Sequence, residues 1–268
     1  MNARVLALAF LLIGANGAAA ASPTLRPLCP DRPGKATDAC TVDQGHFQLE
    51  IDAYDVTLQR HAGVTTNTTF AANPTLKYGV TSNFDVELNL VPYIKIRSHS
   101  SGTTQADSGL GDLYLRAKYV PISGGPHGLS FGLEPFLKIP TAAHALGNGT
   151  VEGGLLLPVG LDLGGGWSLS STPEFDALQN QATLGRHLAM INVVALSRAF
   201  SSGITVSGEV WNSSDFDRGG TVEQYSFDVA AAWQPARDPD LQLDAGVNVG
   251  LNGNTPDLQA YVGLSRRF

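Results

Sequence analysis

The stretch FDVELNLVPYIKIR, residues 84–97, alternates between apolar and polar side chains along almost its whole length. The apolar members are Phe84, Val86, Leu88, Leu90, Ile94 and Ile96, and the polar members are Asp85, Glu87, Asn89, Lys95 and Arg97. Successive side chains of a β-strand point to opposite faces of the sheet. The pattern therefore predicts a strand with one apolar face and one charged face.

The same alternation recurs from Gly45 to the final Phe268 and predicts twelve strands, an even number. Most are longer than the roughly 5 to 6 residues of soluble strands and close to the roughly 9 to 11 of tilted membrane strands. An open sheet edge in hydrocarbon leaves backbone groups unpaired, so the sheet is expected to close. The stretch from Leu188 to Phe200 is apolar on both faces, and its register is left open.

Composition supports an all-β membrane protein. The chain has 268 residues, of which 15% are charged, with 30 Gly and 15 Pro, and no apolar run long enough for a spanning helix. A net charge of −7 disfavours a nucleic-acid partner. The alternative is a secreted β-sandwich or a soluble barrel with its apolar face inward, although such folds usually have shorter strands.

The N-terminus has the pattern of an export signal. Arg4 precedes the apolar run Val5–Ile13, and Ala18–Ala21 forms a small-residue cleavage site, so residues 1–21 are expected to be a cleaved signal peptide. A short buried helix is the alternative.

The only two cysteines, Cys29 and Cys40, follow in residues 22–43, which we expect to form a periplasmic segment. An even cysteine count at short spacing in an oxidising compartment predicts a disulfide. A metal site is the weaker interpretation, because no His or further Cys lies between them.

The connections differ in length on alternate sides. Short turns are predicted at 79–83, 164–166, 199–203 and 235–240, and longer loops at 57–65, 98–108, 141–152, 179–186 and 212–220. This asymmetry is typical of outer-membrane barrels of Gram-negative bacteria. We therefore predict a single antiparallel barrel over residues 44–268. Aromatic residues near strand ends would form its interfacial girdles: Tyr78, Phe84, Tyr119, Trp167, Phe200, Trp211 and Trp233.

If the apolar residues face lipid, the charged ones must line the lumen. The candidate lumen-lining residues are Glu50, Asp52, Lys77, Asp85, Glu87, Lys95, Arg97, Asp112, Arg116, Lys118, Glu134 and Lys138. Later strands add Glu174, Asp176, Glu209, Asp228, Asp244 and Arg267. Two interpretations stay open at this stage: the charges line a narrow aqueous path, or they pair across the lumen and plug it.

The sequence predicts no enzyme, cofactor or metal site. The six histidines (His46, His61, His99, His127, His144 and His187) lack metal-ligand spacing. No Gly-x-Ser-x-Gly nucleophile elbow is predicted, because the one match, Gly128–Gly132, falls in a strand-like alternating run and not at a strand-to-helix turn. Gly109-Leu110-Gly111-Asp112 contains a Gly-x-Gly but is not followed by a helical pattern. We interpret that element as a structural bend rather than a substrate gate.

Several segments, in order along the chain, resemble the MetA-pathway of phenol degradation family. They are Asp31–Gly34 with Thr41–Glu50, Pro74–Thr81, Ser108–Leu113 with Lys118-Tyr119, Lys138–Thr141, and Gln242–Val247. The resemblance implies an outer-membrane protein proposed to pass small, often aromatic, compounds, and it carries over no catalytic residue.

Our functional prediction is a channel for passive uptake of small molecules, with aromatic or hydrophobic compounds as candidates. The alternative is a plugged structural or adhesin-like barrel without transport. The expected partners are outer-membrane lipids, a small-molecule solute and the barrel-assembly machinery. That machinery would recognise the C-terminal Phe268, which closes an alternating strand.

Overall fold

The computed structural model describes residues 25–124, 128–181 and 183–268. The expected signal peptide over residues 1–21 lies outside the described residues, as does His127. In the described residues the regular elements are all β-strands, and no helix is long and apolar enough to cross a membrane.

Sixteen strand segments follow one another along the chain. They are β1 (Phe47–His61), β2 (Val64–Thr81), β3 (Phe84–Leu90), β4 (Ile94–Ser100), β5 (Thr103–Gly109), β6 (Leu113–Ile122), β7 (Leu129–Ile139) and β8 (Glu152–Leu156). The second half comprises β9 (Val159–Gly164), β10 (Trp167–Ser171), β11 (Glu174–Gln179), β12 (Arg186–Ala199), β13 (Ile204–Asp215), β14 (Val222–Trp233), β15 (Leu241–Gly250) and β16 (Leu258–Arg267).

These segments form one closed antiparallel sheet. β1 pairs with β2 on one side and with β16 on the other, which joins the two ends of the sheet. Four wall strands are each interrupted once, between β3 and β4, β5 and β6, β8 and β9, and β10 and β11. The described residues thus form a barrel of twelve wall strands, which confirms the predicted fold and excludes a two-sheet sandwich.

The polarity of the two faces of the wall is the reverse of that in a soluble protein, in which apolar side chains face inward. Outward side chains are apolar and exposed, including Val86, Leu88 and Val262, whereas inward Lys77, Lys118 and Glu134 are buried. An apolar exterior around a polar interior is the pattern of a transmembrane barrel.

Four neighbouring wall strands each contain one extra residue at the same level. β1 bulges at Ala53, and β2 bulges opposite it at Ala72, which has a φ of 51°. In the other two wall strands the extra residue lies in the short interruption: Val91–Tyr93 separate β3 from β4, and Leu110–Asp112 separate β5 from β6. Beyond each extra residue, odd-numbered and even-numbered positions exchange faces, so that a side chain expected to face the lumen faces outward instead.

Two of the predicted loops are extended hairpins. β1 continues to His61 and meets β2 through the tight turn Ala62–Gly63. β4 and β5 meet through Ser101–Gly102, where both residues have positive φ. The expected loops at 57–65 and 98–108 are therefore mostly strand. Polar side chains predominate on both faces of these segments, so an apolar–polar alternation does not reveal them.

The aromatic girdle is present at the short-turn end of the barrel. Tyr78, Tyr119, Trp167, Phe200 and Trp233 are exposed on the outward face. The predicted girdle member Trp211 differs: it pairs with buried Ser226 and buried Val193, and therefore faces the lumen.

Candidate functional site: a plugged lumen

Residues 26–43 form a loop that enters the barrel from the short-turn end and returns to it. At the entrance, Arg26 contacts Asp43 at 2.8 Å and donates to the Ser82 carbonyl at 2.9 Å. Cys29 and Cys40 form a disulfide across the loop with Cα atoms 6.0 Å apart, as predicted from their spacing. We call residues 26–43 the plug.

The tip of the plug inserts a carboxylate between two buried lysines. Asp31 Oδ1 lies 2.6 Å from Lys118 Nζ, and its other oxygen contacts Lys77. Burial raises the pKa of the Asp31 carboxyl, but the two ammonium groups outweigh that effect and hold this pKa below its usual range. The Asp31 backbone N–H donates to Glu50 Oε2 at 3.0 Å.

The wall supplies further acids around the same lysines. Lys77 Nζ lies 2.7 Å from Glu50, and Lys118 Nζ lies 3.3 Å from Glu134 and 3.6 Å from Glu87. Charge pairing across the lumen, one of the two interpretations that the sequence left open, is therefore present, but it runs through a plug residue rather than from wall to wall alone.

The other side of the tip carries cations that contact acidic wall residues. Arg32 contacts Asp52 on β1 and lies 2.6 Å from Asp244 on β15. Lys35 Nζ lies 3.0 Å from Asp228 on β14 and 4.4 Å from the ring centroid of Trp211 on β13. Contacts to strands on opposite sides of the barrel centre the tip in the lumen.

The plug, which makes up most of the segment 22–43 expected to be periplasmic, lies inside the barrel. Leu28, Thr37, Ala39 and Val42 are buried inside the barrel. Thr37 exchanges two hydrogen bonds with Thr172, which lies between β10 and β11. The charges of the tip complement those of the wall, and this explains why the segment lies inside.

Ten of the twelve candidate lumen residues on the first strands face inward, and two face outward. The inward ones are Glu50, Asp52, Lys77, Asp85, Glu87, Asp112, Arg116, Lys118, Glu134 and Lys138. Lys95 pairs with Thr69 and Arg97 with Asn67, and those residues pair with outward Val56 and Leu58. The prediction for Lys95 and Arg97 was wrong because the extra residue around Pro92, which has no N–H for the ladder, reverses the alternation.

The acids of later strands also face the interior. Glu209, Asp228 and Asp244 are buried, as are Asp176 and Arg267. Arg267 bridges Asp43 of the plug at 2.6 Å and Asp240 of the turn between β14 and β15.

Above the plug, two aromatic rings face the lumen. The ring centroids of Tyr114 on β6 and Phe136 on β7 lie 6.3 Å apart. The Arg116 guanidinium lies 5.9 Å from the first centroid and 6.0 Å from the second. The alternation places these rings on the charged face of their strands, and that parity is the sequence signal that identifies them.

A polar cavity separates the plug from one sector of the wall. It has a volume of about 220 Å³ and is lined by Asp38 of the plug and by Ser168, Ser170, Ser197 and Ser207 of β10, β12 and β13. A smaller cavity of about 100 Å³ lies at the tip, between Arg32, Asn73 and Arg116. The plug therefore narrows the lumen unevenly.

The Gly109–Asp112 element is a bend in the wall. The Gly111 N–H donates to the Val91 carbonyl at 2.9 Å, and a Cβ at Gly111 would lie 2.6 Å from Val91 Cβ. Asp112 Oδ1 accepts from the Ala142 N–H at 3.0 Å and so anchors the following loop. These contacts agree with the interpretation of the element as a structural bend rather than a substrate gate.

The family model described as "Putative MetA-pathway of phenol degradation" matches residues 30–268. The chain belongs to this family. The match begins at Pro30 and so includes most of the plug together with the whole barrel. A comparison with curated proteins finds no match.

Solved structures share the barrel fold at low sequence identity. The COG4313 outer membrane channel from Pseudomonas putida F1 is 17% identical with a TM-score of 0.68, covering 88% of this chain and 99% of that one. The translocator domain of the autotransporter NalP from Neisseria meningitidis is 12% identical with a TM-score of 0.53, covering 84% and 89%. The β domain of the Bordetella autotransporter BrkA is 13% identical with a TM-score of 0.52, covering 84% and 100%.

Proposed function

We propose that the protein is an outer-membrane channel of a Gram-negative bacterium that admits small molecules by passive diffusion. The observation that carries the proposal is the polar cavity of about 220 Å³ between the plug and the β10–β13 sector. This sector is lined largely by small hydroxyl side chains, whereas the opposite side of the tip is held by ion pairs. Solutes pass along the hydroxyl-lined side, and the plug limits their size.

Aromatic compounds are the solute class that the upper lumen favours. The rings of Tyr114 and Phe136, with the Arg116 guanidinium beside both, offer stacking and cation–π contacts to a flat solute. The similar Pseudomonas putida protein is an outer membrane channel, and the family is named for phenol degradation, so both agree with this proposal.

Planar-bilayer recordings of the mature protein, with and without phenol, test the function. Discrete conductance steps that phenol blocks support a channel with an aromatic binding site. A Tyr114→Ser, Phe136→Ser variant should conduct but lose most of the block, because both stacking surfaces are gone. Block that persists in this variant contradicts the assigned site, and a folded, inserted protein that never conducts contradicts the channel.

Ion selectivity provides a separate prediction, since Arg116 faces the lumen and Arg97 faces outward. Arg116→Ala removes a fixed positive charge from the path, so the reversal potential in a salt gradient should shift towards cation selectivity. Arg97→Ala is the matched control and should leave the reversal potential unchanged. Equal shifts in the two variants would show that the recorded current does not pass Arg116.

The second candidate function is a closed structural barrel. The ion pairs of Asp31 with Lys77 and Lys118 favour it, because they fill one side of the lumen with buried charge. The same recordings separate the two functions.

A further inference from the structure

The outward face near the tight-turn hairpins carries a basic patch. Arg60 on β1 and Lys95, Arg97 and His99 on β4 are all exposed. The pairings Leu58–Asn67–Arg97 and Arg60–Thr65–His99 place them in adjacent rows on the lipid side of the wall. We call these four residues the outer basic patch.

The patch has neutral neighbours on its own face. The paired outward residues are Thr65, Asn67 and Thr69 on β2, and Thr104, Ala106 and Ser108 on β5. Asp107 pairs with Ile96 and therefore belongs to the opposite face. Among the described residues, no carboxylate lies within ion-pair distance of Arg60, Lys95 or Arg97.

Strand geometry places the patch at one margin of the apolar band. A residue in a strand tilted by about 40° advances about 2.5 Å along the membrane normal. Lys95 comes eleven residues after Phe84, which starts β3 at the short-turn end. Lys95 then lies about 27 Å from that end, and the apolar band of such barrels is about 25 Å tall.

Unpaired cations at this depth face lipid headgroups rather than hydrocarbon. Tyr54 and Tyr93 are exposed beside Lys95 and Arg97, around a surface groove of about 510 Å³. Tyrosine is typical of the membrane interface, where its ring meets apolar chains and its hydroxyl meets polar headgroups.

We propose that the outer basic patch binds the phosphate groups of a phosphorylated glycolipid in the outer leaflet. This inference rests on the outer-membrane orientation of the proposed function, with the short turns periplasmic, but not on conduction. The Arg97 guanidinium can donate two parallel hydrogen bonds to a phosphate, and Lys95 adds a point charge one row away. The hydroxyl and amide side chains of Thr69 and Asn67 provide neutral donors between them.

Native mass spectrometry of the detergent-solubilised mature protein with diphosphorylated lipid A tests the proposal. The unmodified protein should retain bound lipid, and Lys95→Ala, Arg97→Ala should weaken binding about tenfold or more, since charged contacts are lost. Lys95→Arg, which keeps the positive charge at that position, should retain most of it. Arg198→Ala is the control, because Arg198 lies at the other end of the barrel, 4.9 Å from the Trp167 ring centroid.

Three results would overturn the proposal. They are equal binding by the double alanine variant, equal binding of lipid A without phosphates, and displacement of lipid A by millimolar inorganic phosphate. The last would assign the patch to free anions. Recording conductance from the same preparations separates this proposal from the channel, because neither residue faces the lumen.

Discussion

Deleting residues 26–43 should raise the single-channel conductance several-fold. The plug occupies the centre of the lumen and contacts β1, β6, β14 and β15 through its tip. A polar cavity of about 220 Å³ remains beside it. Removing the obstruction widens the aqueous cross-section, and the current through a short pore rises with that cross-section.

A double variant tests the same effect without deleting the plug. Cys29→Ser, Cys40→Ser keeps the charged tip but releases the loop, because the disulfide no longer limits its conformations. The expected result is intermediate conductance with more frequent fluctuation between levels. Folding of both variants is checked by the resistance of the barrel to unheated detergent electrophoresis.

Unchanged conductance in a folded deletion variant would contradict the role of the plug as the constriction. A deletion variant that inserts and stays silent would favour the structural barrel instead. Loss of size selectivity should accompany the conductance increase, measured as permeation of larger sugars into loaded vesicles.

The wall was predictable because membrane burial imposes a strict period of two. Residues such as Val86, Glu87 and Leu88 follow that rule without interruption, and the structure places them as expected. The rule fails where one residue is added. The bulges at Ala53 and Ala72 lie within β-forming sequence and leave no clear sign in composition. The extra residue around Pro92 reverses the alternation between β3 and β4, and for this reason the facing of Lys95 and Arg97 was missed.

The plug was less predictable because no periodicity marks it, yet the charge pattern contains a signal. Glu209, Asp228 and Asp244 face the lumen on neighbouring strands with no inward base beside them on β13 to β15. Arg32 and Lys35 of the plug supply the missing cations. A one-sided excess of acids in a predicted lumen therefore indicates that a cationic segment from elsewhere in the chain lies against it.

Lys118→Met should destabilise the folded barrel by about 3 to 5 kcal/mol, the range observed when one partner of a buried ion pair is removed. Lys118 is fully buried, and its ammonium lies within ion-pair distance of Asp31, Glu87 and Glu134. Without that ammonium, three carboxylates share only Lys77 and the more distant Arg116. Like charges at this spacing repel one another, and their desolvation is no longer offset.

Lys95→Met is the matched control, since it makes the same chemical change on the outward face. An exposed lysine near the interface contributes about 0 to 1 kcal/mol, so its replacement should change the stability little. Equilibrium unfolding in urea, followed by tryptophan fluorescence in lipid vesicles, measures both variants. Glu134→Gln added to Lys118→Met should recover part of the loss, because it removes one of the carboxylates left without a partner. If Lys118→Met is no more destabilising than Lys95→Met, water screens the cluster, and the ion pairs of Asp31 do not hold the plug in place.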